Sequence, residues 1–246
     1  MYDSDVQGFY ALIAVPVLFL VYRMMRGRPS GGGALPAGAR FVDGYAVVFA
    51  LQTILDPVIT GQLTRALGIS DGIGATVLLI LFVLLGDFRV YLLVFGLLAI
   101  AAGRRWTDAV GVAAAWTTAV PTVAYLANAA LHTAVPGLNS GSIWLIYETL
   151  FAAVALTLRA RLVPARVPSA QPGLRSYLRD GLLYVAIYYA NWALADVLIQ
   201  IGGFDVGWLL RILPNQLYYA ISVPAAFFAF FASRYQSTRT STQAAR

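Results

Sequence analysis

The chain has 246 residues, 60% of them hydrophobic and only 11% charged; a soluble domain carries roughly 25% charged residues, so an ordinary water-soluble globule is excluded. Its net charge of +6 comes from 17 basic residues, every one an arginine, against 11 acidic ones. The absence of lysine excludes Schiff-base chemistry with retinal or pyridoxal. The absence of cysteine excludes disulfides, thiolate nucleophiles and iron–sulfur clusters, and the single histidine, His132, leaves no metal-binding histidine motif.

A run of about 20 apolar residues crosses the hydrocarbon core as a helix. Seven such runs follow one another: Gly8–Met25, Phe41–Gln62, Ile73–Gly103, Asp108–Thr133, Ser142–Leu158, Gly181–Gly202 and Pro214–Ser233. The third is 31 residues long and carries Gly86, Asp87, Phe88 and Arg89 near its middle. Read as one helix, with the N-terminus outside, it sends fourteen of the seventeen arginines to the cytoplasmic side, leaving Arg65 and Arg211 outside and Arg89 in the membrane. Splitting it moves ten of those fourteen to the outer face, against the positive-inside bias. The fold class is therefore an all-α, polytopic membrane bundle of seven transmembrane helices, N-terminus outside and C-terminus cytoplasmic, in the cell (inner) membrane. Residues 1–233 form one domain and 234–246 a polar disordered tail.

Smaller features agree. Asp3 and Asp5 precede the first span, which lacks the basic start of a cleaved signal peptide and is expected to be retained. Trp144 and Trp208 fall at outer ends and Trp106 at an inner end, where indole rings favour the interface. Arg26–Arg40 reads as a Gly/Pro-rich linker, and Leu162–Arg179, with Pro164, Pro168 and Pro172, as a second cytoplasmic loop. These basic loops face anionic lipid, and nucleic acid is not an expected partner. Gly111, Ala115 and Ala119 form a small-residue seam expected to pack against a neighbouring helix.

Five ionisable residues lie well inside the spans: Asp56, Asp87, Arg89, Glu148 and Asp196. Each costs roughly 2.5–3.5 kcal/mol at a helix centre, so the set needs pairing, water or a function. Four acids and one base leave three carboxyls to be protonated, hydrated or neutralised by a cation. Asp87 and Arg89 are assigned to structural ion pairing. Two residues apart, they face different sides of their helix, so the partner of Arg89 is expected on another helix, at Glu148 or Asp56.

At 1.5 Å per residue, Asp56, Glu148 and Asp196 lie towards the outer ends of their spans, level with Asn128 and His132. Gln52, Asp56 and Thr60 share one helix face, as do Tyr125, Asn128 and His132, and Tyr189, Trp192 and Asp196. Three polar stripes in the outer half most simply face one another across a cavity opening outward. Pro57 follows Asp56 directly and frees carbonyls one turn earlier, and Pro121, Pro214 and Pro224 can do the same. A partial echo joins Gln52, Asp56 and Gly61 to Asn191, Asp196 and Gly202. It suits a parallel repeat of the kind some transporters use, although the first and fifth spans do not share it.

The proton-handling or coupling carboxyls are thus Asp56, Glu148 and Asp196. The substrate-binding candidates are Gln52, Asn128, His132, Tyr147, Tyr188, Asn191 and Trp192. No metal and no cofactor is expected. The function expected from this set is translocation of a small solute coupled to protons or cations. Two alternatives use the same residues differently. A metal-independent acid–base enzyme would protonate a lipid-soluble, isoprenoid- or ether-lipid-like substrate beside ring faces that stabilise a cation, and a non-catalytic subunit would use the charges to dock a partner helix. Expected partners are the lipid bilayer, a small-molecule or lipidic ligand, and either a second copy of the chain or a partner membrane subunit.

Overall fold

The computed structural model describes residues 9–26, 35–68, 72–135, 137, 139 and 141–232. Asp3, Asp5, most of the first linker and the 234–246 tail lie outside them. Among the described residues the chain is all helix, with no strand. Seven helical runs follow in order: α1 (Ala11–Arg26), α2 (Ala37–Ala66), α3 (Ile73–Ala101), α4 (Trp106–Ala134), α5 (Ser142–Arg166), α6 (Pro172–Ile201) and α7 (206–232). The five from α2 to α6 are long and apolar enough to cross a membrane. α1 has only 16 residues, and α7 is broken at Arg211 and again widens over Gln216–Ile221.

The third apolar run is one unbroken helix of 29 residues, as the arginine count requires. It ends where Gly103 adopts a positive φ of 74° and lets the Arg104 amide reach back to the Ala99 carbonyl at 2.8 Å, a conformation that side-chain-bearing residues resist. The loop expected over Leu162–Arg179 is shorter than that. α5 continues to Arg166 and α6 begins at Pro172, because proline at the first helical position sacrifices no hydrogen bond.

Each helix packs on the next in sequence, and α1 also packs on α7, which closes the set into a ring. The tightest join is between α5 and α6, where Phe151 stacks on Tyr189 with ring centroids 4.1 Å apart. At the end of α1, Arg23 holds Asp43 through a two-pronged ion pair, Nε–Oδ1 2.7 Å and Nη2–Oδ2 2.6 Å, which pins α1 to α2. Trp106, Trp144 and Trp208 are exposed at helix ends, as expected. The small-residue seam is not a packing face within the chain: Gly111, Ala115 and Ala119 are exposed, and α4 buries Ala113, Thr117, Val120 and Ala124 instead.

Several helices widen locally into turns closed one residue further along than an α-helix: α2 over Val58–Leu63, directly after Asp56 and Pro57; α5 over Leu158–Leu162; α6 over Val197–Ile201, directly after Asp196; and α7 over Gln216–Ile221. Such turns release carbonyls from the helical ladder and cluster at functional sites. Two of them follow the buried acids Asp56 on α2 and Asp196 on α6, the pair joined by the sequence echo.

Candidate functional site

The starts of α1, α3, α5 and α7 lie at the same end of the bundle as the finishes of α2 and α6. At that end is a cavity of about 380 Å³, bounded by Leu12, Asp56, Thr60, Leu79, Glu148 and Arg211 together with a set of aromatic rings. Asp56 is only 5% exposed and Glu148 3%. Asp56 accepts a bond from Thr60 Oγ1 at 3.2 Å on its own helix, and no arginine among the described residues stands within ion-pair distance of it. One Glu148 oxygen lies 3.5 Å from Arg211 Nη2; the other, Oε2, is buried with no hydrogen-bond partner.

Asp196 does not line the cavity but sits directly behind it. Arg211 Nη1 stands 3.1 Å away, and Gln200 Nε2 donates to its Oδ2 at 3.0 Å and to the Gly141 carbonyl at the same distance. Arg211 thus bridges Asp196 and Glu148. The sequence reading placed it outside the membrane; the short first segment of α7, Val206–Leu210, carries it over the cavity instead. It is a cavity residue that the sequence reading missed, as are Trp144, Tyr218 and Tyr219, and it changes the count to four acids and two bases, a surplus of two.

The cavity wall is aromatic. Tyr147, Trp192 and Tyr189 are there, and with them Trp144, Tyr218 and Tyr219. Trp192 Nε1 donates to Asn215 Oδ1 at 2.8 Å, which fixes the indole. Tyr147 and Tyr189 both turn their hydroxyls onto Asp87, Tyr189 at 2.5 Å to Oδ1 and Tyr147 to Oδ2.

The expected ion pairing of Asp87 and Arg89 is not what holds them. Arg89 donates to Thr53 Oγ1 at 3.0 Å and to the Tyr218 carbonyl at 2.5 Å, and its guanidinium lies 4.2 Å from the Tyr218 ring centroid. Neither Glu148 nor Asp56 reaches it. The wide turn explains the difference: Tyr218 lies in Gln216–Ile221, whose carbonyls need outside donors, and Arg89 takes one while the Tyr184 hydroxyl takes that of Leu217 at 2.5 Å. Gly86 makes room for this. A Cβ there would stand 1.6 Å from the Tyr218 hydroxyl.

Five substrate-binding candidates are not brought to this cavity. Gln52 is half-buried one turn away, its Oε1 without a partner. Asn191 donates to the Ile187 carbonyl of its own helix at 2.8 Å. Asn128 and His132 meet Ser142 instead, at 2.6 Å and 3.5 Å, which ties α4 to the start of α5. Tyr188 faces the other way.

Tyr188 lines a second cavity of about 420 Å³ at the opposite end, bounded by Tyr45, Arg89, Val90, Tyr177, Ser222 and Ala226 and mostly apolar. The two cavities are separated by side chains in mutual contact. Tyr189 and Tyr218 face the acidic one, Arg89 and Tyr188 the apolar one, and the Tyr188 and Tyr218 rings lie 5.6 Å apart. Among the described residues no three acidic or histidine side chains converge on a point that would hold a metal ion. Comparison with protein-family models, with characterised proteins and with solved structures finds no match to this chain.

Proposed function

We propose that the chain spans the inner membrane seven times, N-terminus outside, and moves a small solute along the axis joining its two cavities, coupled to protons or cations. The observation that carries this reading is the pair of cavities approaching each other from opposite ends, with one contacting layer of Arg89, Tyr188, Tyr189 and Tyr218 between them. A site reached alternately from two sides needs such a layer. Asp56 and Glu148 are the coupling carboxyls, each buried and each with an oxygen lacking a strong partner, and Asp196 acts through Arg211 as a positioning group.

The test is flux. Purified protein in liposomes, loaded with a pH-sensitive dye and challenged with a solute panel, should acidify or alkalinise the lumen with the transported solute. Asp56→Asn should abolish the pH change while solute equilibration continues. Solute movement with an unchanged proton response in both Asp56→Asn and Glu148→Gln would overturn the coupling assignment.

A second reading has its own support. Six aromatic rings around Asp56 and Glu148 also suit an enzyme in which one carboxyl protonates an alkene and ring faces stabilise the resulting cation. Deuterium incorporated from heavy water into a compound recovered after incubation with the protein would favour this reading over translocation.

A further inference from the structure

We propose that the acidic cavity is a binding site for an organic monocation with an apolar frame, so that the solute of the translocation reading, on which this inference rests, is a hydrophobic ammonium compound. The charge balance comes first. Asp56, Glu148 and Asp196 stand around or directly behind this cavity with Arg211 as their single base. Its interior therefore carries an acid surplus, and a ligand bearing positive charge removes the cost of that surplus.

The placement of the acids comes second. Asp56 borders the cavity with Thr60 of its own helix donating to it and, among the described residues, no arginine beside it. Glu148 borders the same space with one oxygen 3.5 Å from Arg211, its Oε2 being closed off inside the wall. Buried carboxyls so weakly met are costly until a cation reaches them.

The remaining wall decides which cation. Inorganic divalent ions need several converging oxygens, and no three acidic or histidine groups converge among the described residues. Aromatic rings do surround the space, and ring faces attract ammonium groups, most strongly where water is excluded. Trp192 is held in place by Asn215 and Tyr189 by Asp87, so those two rings are fixed before a ligand arrives. A cavity of about 380 Å³ admits a substituted ammonium ion with one phenyl-sized group, at the small end of the usual ligand range of about 300–1,000 Å³.

The probe is benzyltrimethylammonium, titrated against the full-length protein in nanodiscs and followed by calorimetry and by tryptophan emission. The expected result is saturable binding, at least about tenfold weaker in Asp56→Asn and in Glu148→Gln, and unaffected by millimolar calcium or magnesium. Neopentylbenzene, its uncharged isostere, and phenylacetate, an anion of similar size, should bind at least about tenfold more weakly. Thr157→Ala, on an exposed face of α5 away from both cavities, should leave the affinity unchanged, and the unfolding midpoints of the carboxyl variants show that they are folded. Equal binding of the uncharged isostere, preference for the anion, or unchanged affinity in both carboxyl variants would overturn the proposal. Cation binding without flux would leave this site standing and end the translocation reading; coupled flux of an uncharged solute without cation binding would do the reverse.

Discussion

Arg89 lies over the ring of Tyr218, its guanidinium carbon 4.2 Å from the ring centroid, and donates to the carbonyl of the same residue. One side chain thus fixes both the ring and the backbone of Tyr218 and seals the layer between the cavities. Arg89→Lys keeps the charge but loses the planar fork. We expect it to lower stability by about 2 kcal/mol, from one charged hydrogen bond and part of the cation–π contact. Thermal unfolding in detergent, with Arg89→Met as the more severe comparison, measures this.

Gly86 admits the Tyr218 hydroxyl where a Cβ would sit. Gly86→Ala must push a buried ring that Arg89 holds from the other side, so overpacking should cost about 1–3 kcal/mol. The double variant with Tyr218→Phe removes the clashing oxygen and should recover part of the loss. A single variant as stable as the parent would show that the ring is less constrained than its contacts imply.

The depth of the acids was legible in the sequence, and their partners were not. Counting 1.5 Å per residue put Asp56, Glu148 and Asp196 in one half of the bundle, and Asp56 and Glu148 do share one cavity with Asp196 behind it. Counting does not give the angle around a helix axis once a wide turn intervenes, nor the fold of a loop. Arg211 was hidden because the turn at Val206–Leu210 brings it back over the acids, and Tyr218 because a disrupted ladder has no signature in residue type. Asn128 and His132 have the expected height, but α4 presents them to Ser142 rather than to the axis. The five long helices were plain from hydropathy alone.

Arg211 bridges two carboxyl groups with a single positive charge. Arg211→Gln leaves both without a base, and breaking a buried pair on one side costs about 3–5 kcal/mol; the partial exposure of Arg211 argues for the lower figure. Adding Glu148→Gln and Asp196→Asn to the same chain should restore most of the stability, since the two carboxyls that Arg211 met are then gone. Unfolding midpoints of the single and triple variants give the comparison directly.

Tyr147 and Tyr189 share the two oxygens of Asp87. Tyr147→Phe and Tyr189→Phe should each cost about 1.5–3 kcal/mol, the range for a hydrogen bond to a charged group. Because both act on one acceptor, their combination should depart from the sum by at least about 0.5 kcal/mol. Strict additivity would mean that Asp87 has another donor.

The chain contains no cysteine, so single thiols report sidedness without a background. With the proposed orientation, Phe204→Cys, in the exposed turn between α6 and α7, should react with an impermeant maleimide on intact cells. Ala165→Cys, at the exposed end of α5, should react only after permeabilisation. The reverse pattern would invert the topology.

The wide turns also carry a consequence for how this chain tolerates changes in length. Each holds one residue more than an ordinary helical turn, so deleting a single residue within Val58–Leu63 or Val197–Ile201 would let the ladder close in the usual way. Everything beyond would then keep its angle around the helix axis, whereas the same deletion in a regular turn would swing it by about 100°. Substitution alters what a side chain offers at a fixed angle; a one-residue deletion usually alters the angle itself, and α2 and α6 each have a place, directly after a buried acid, where that rotation is already absorbed.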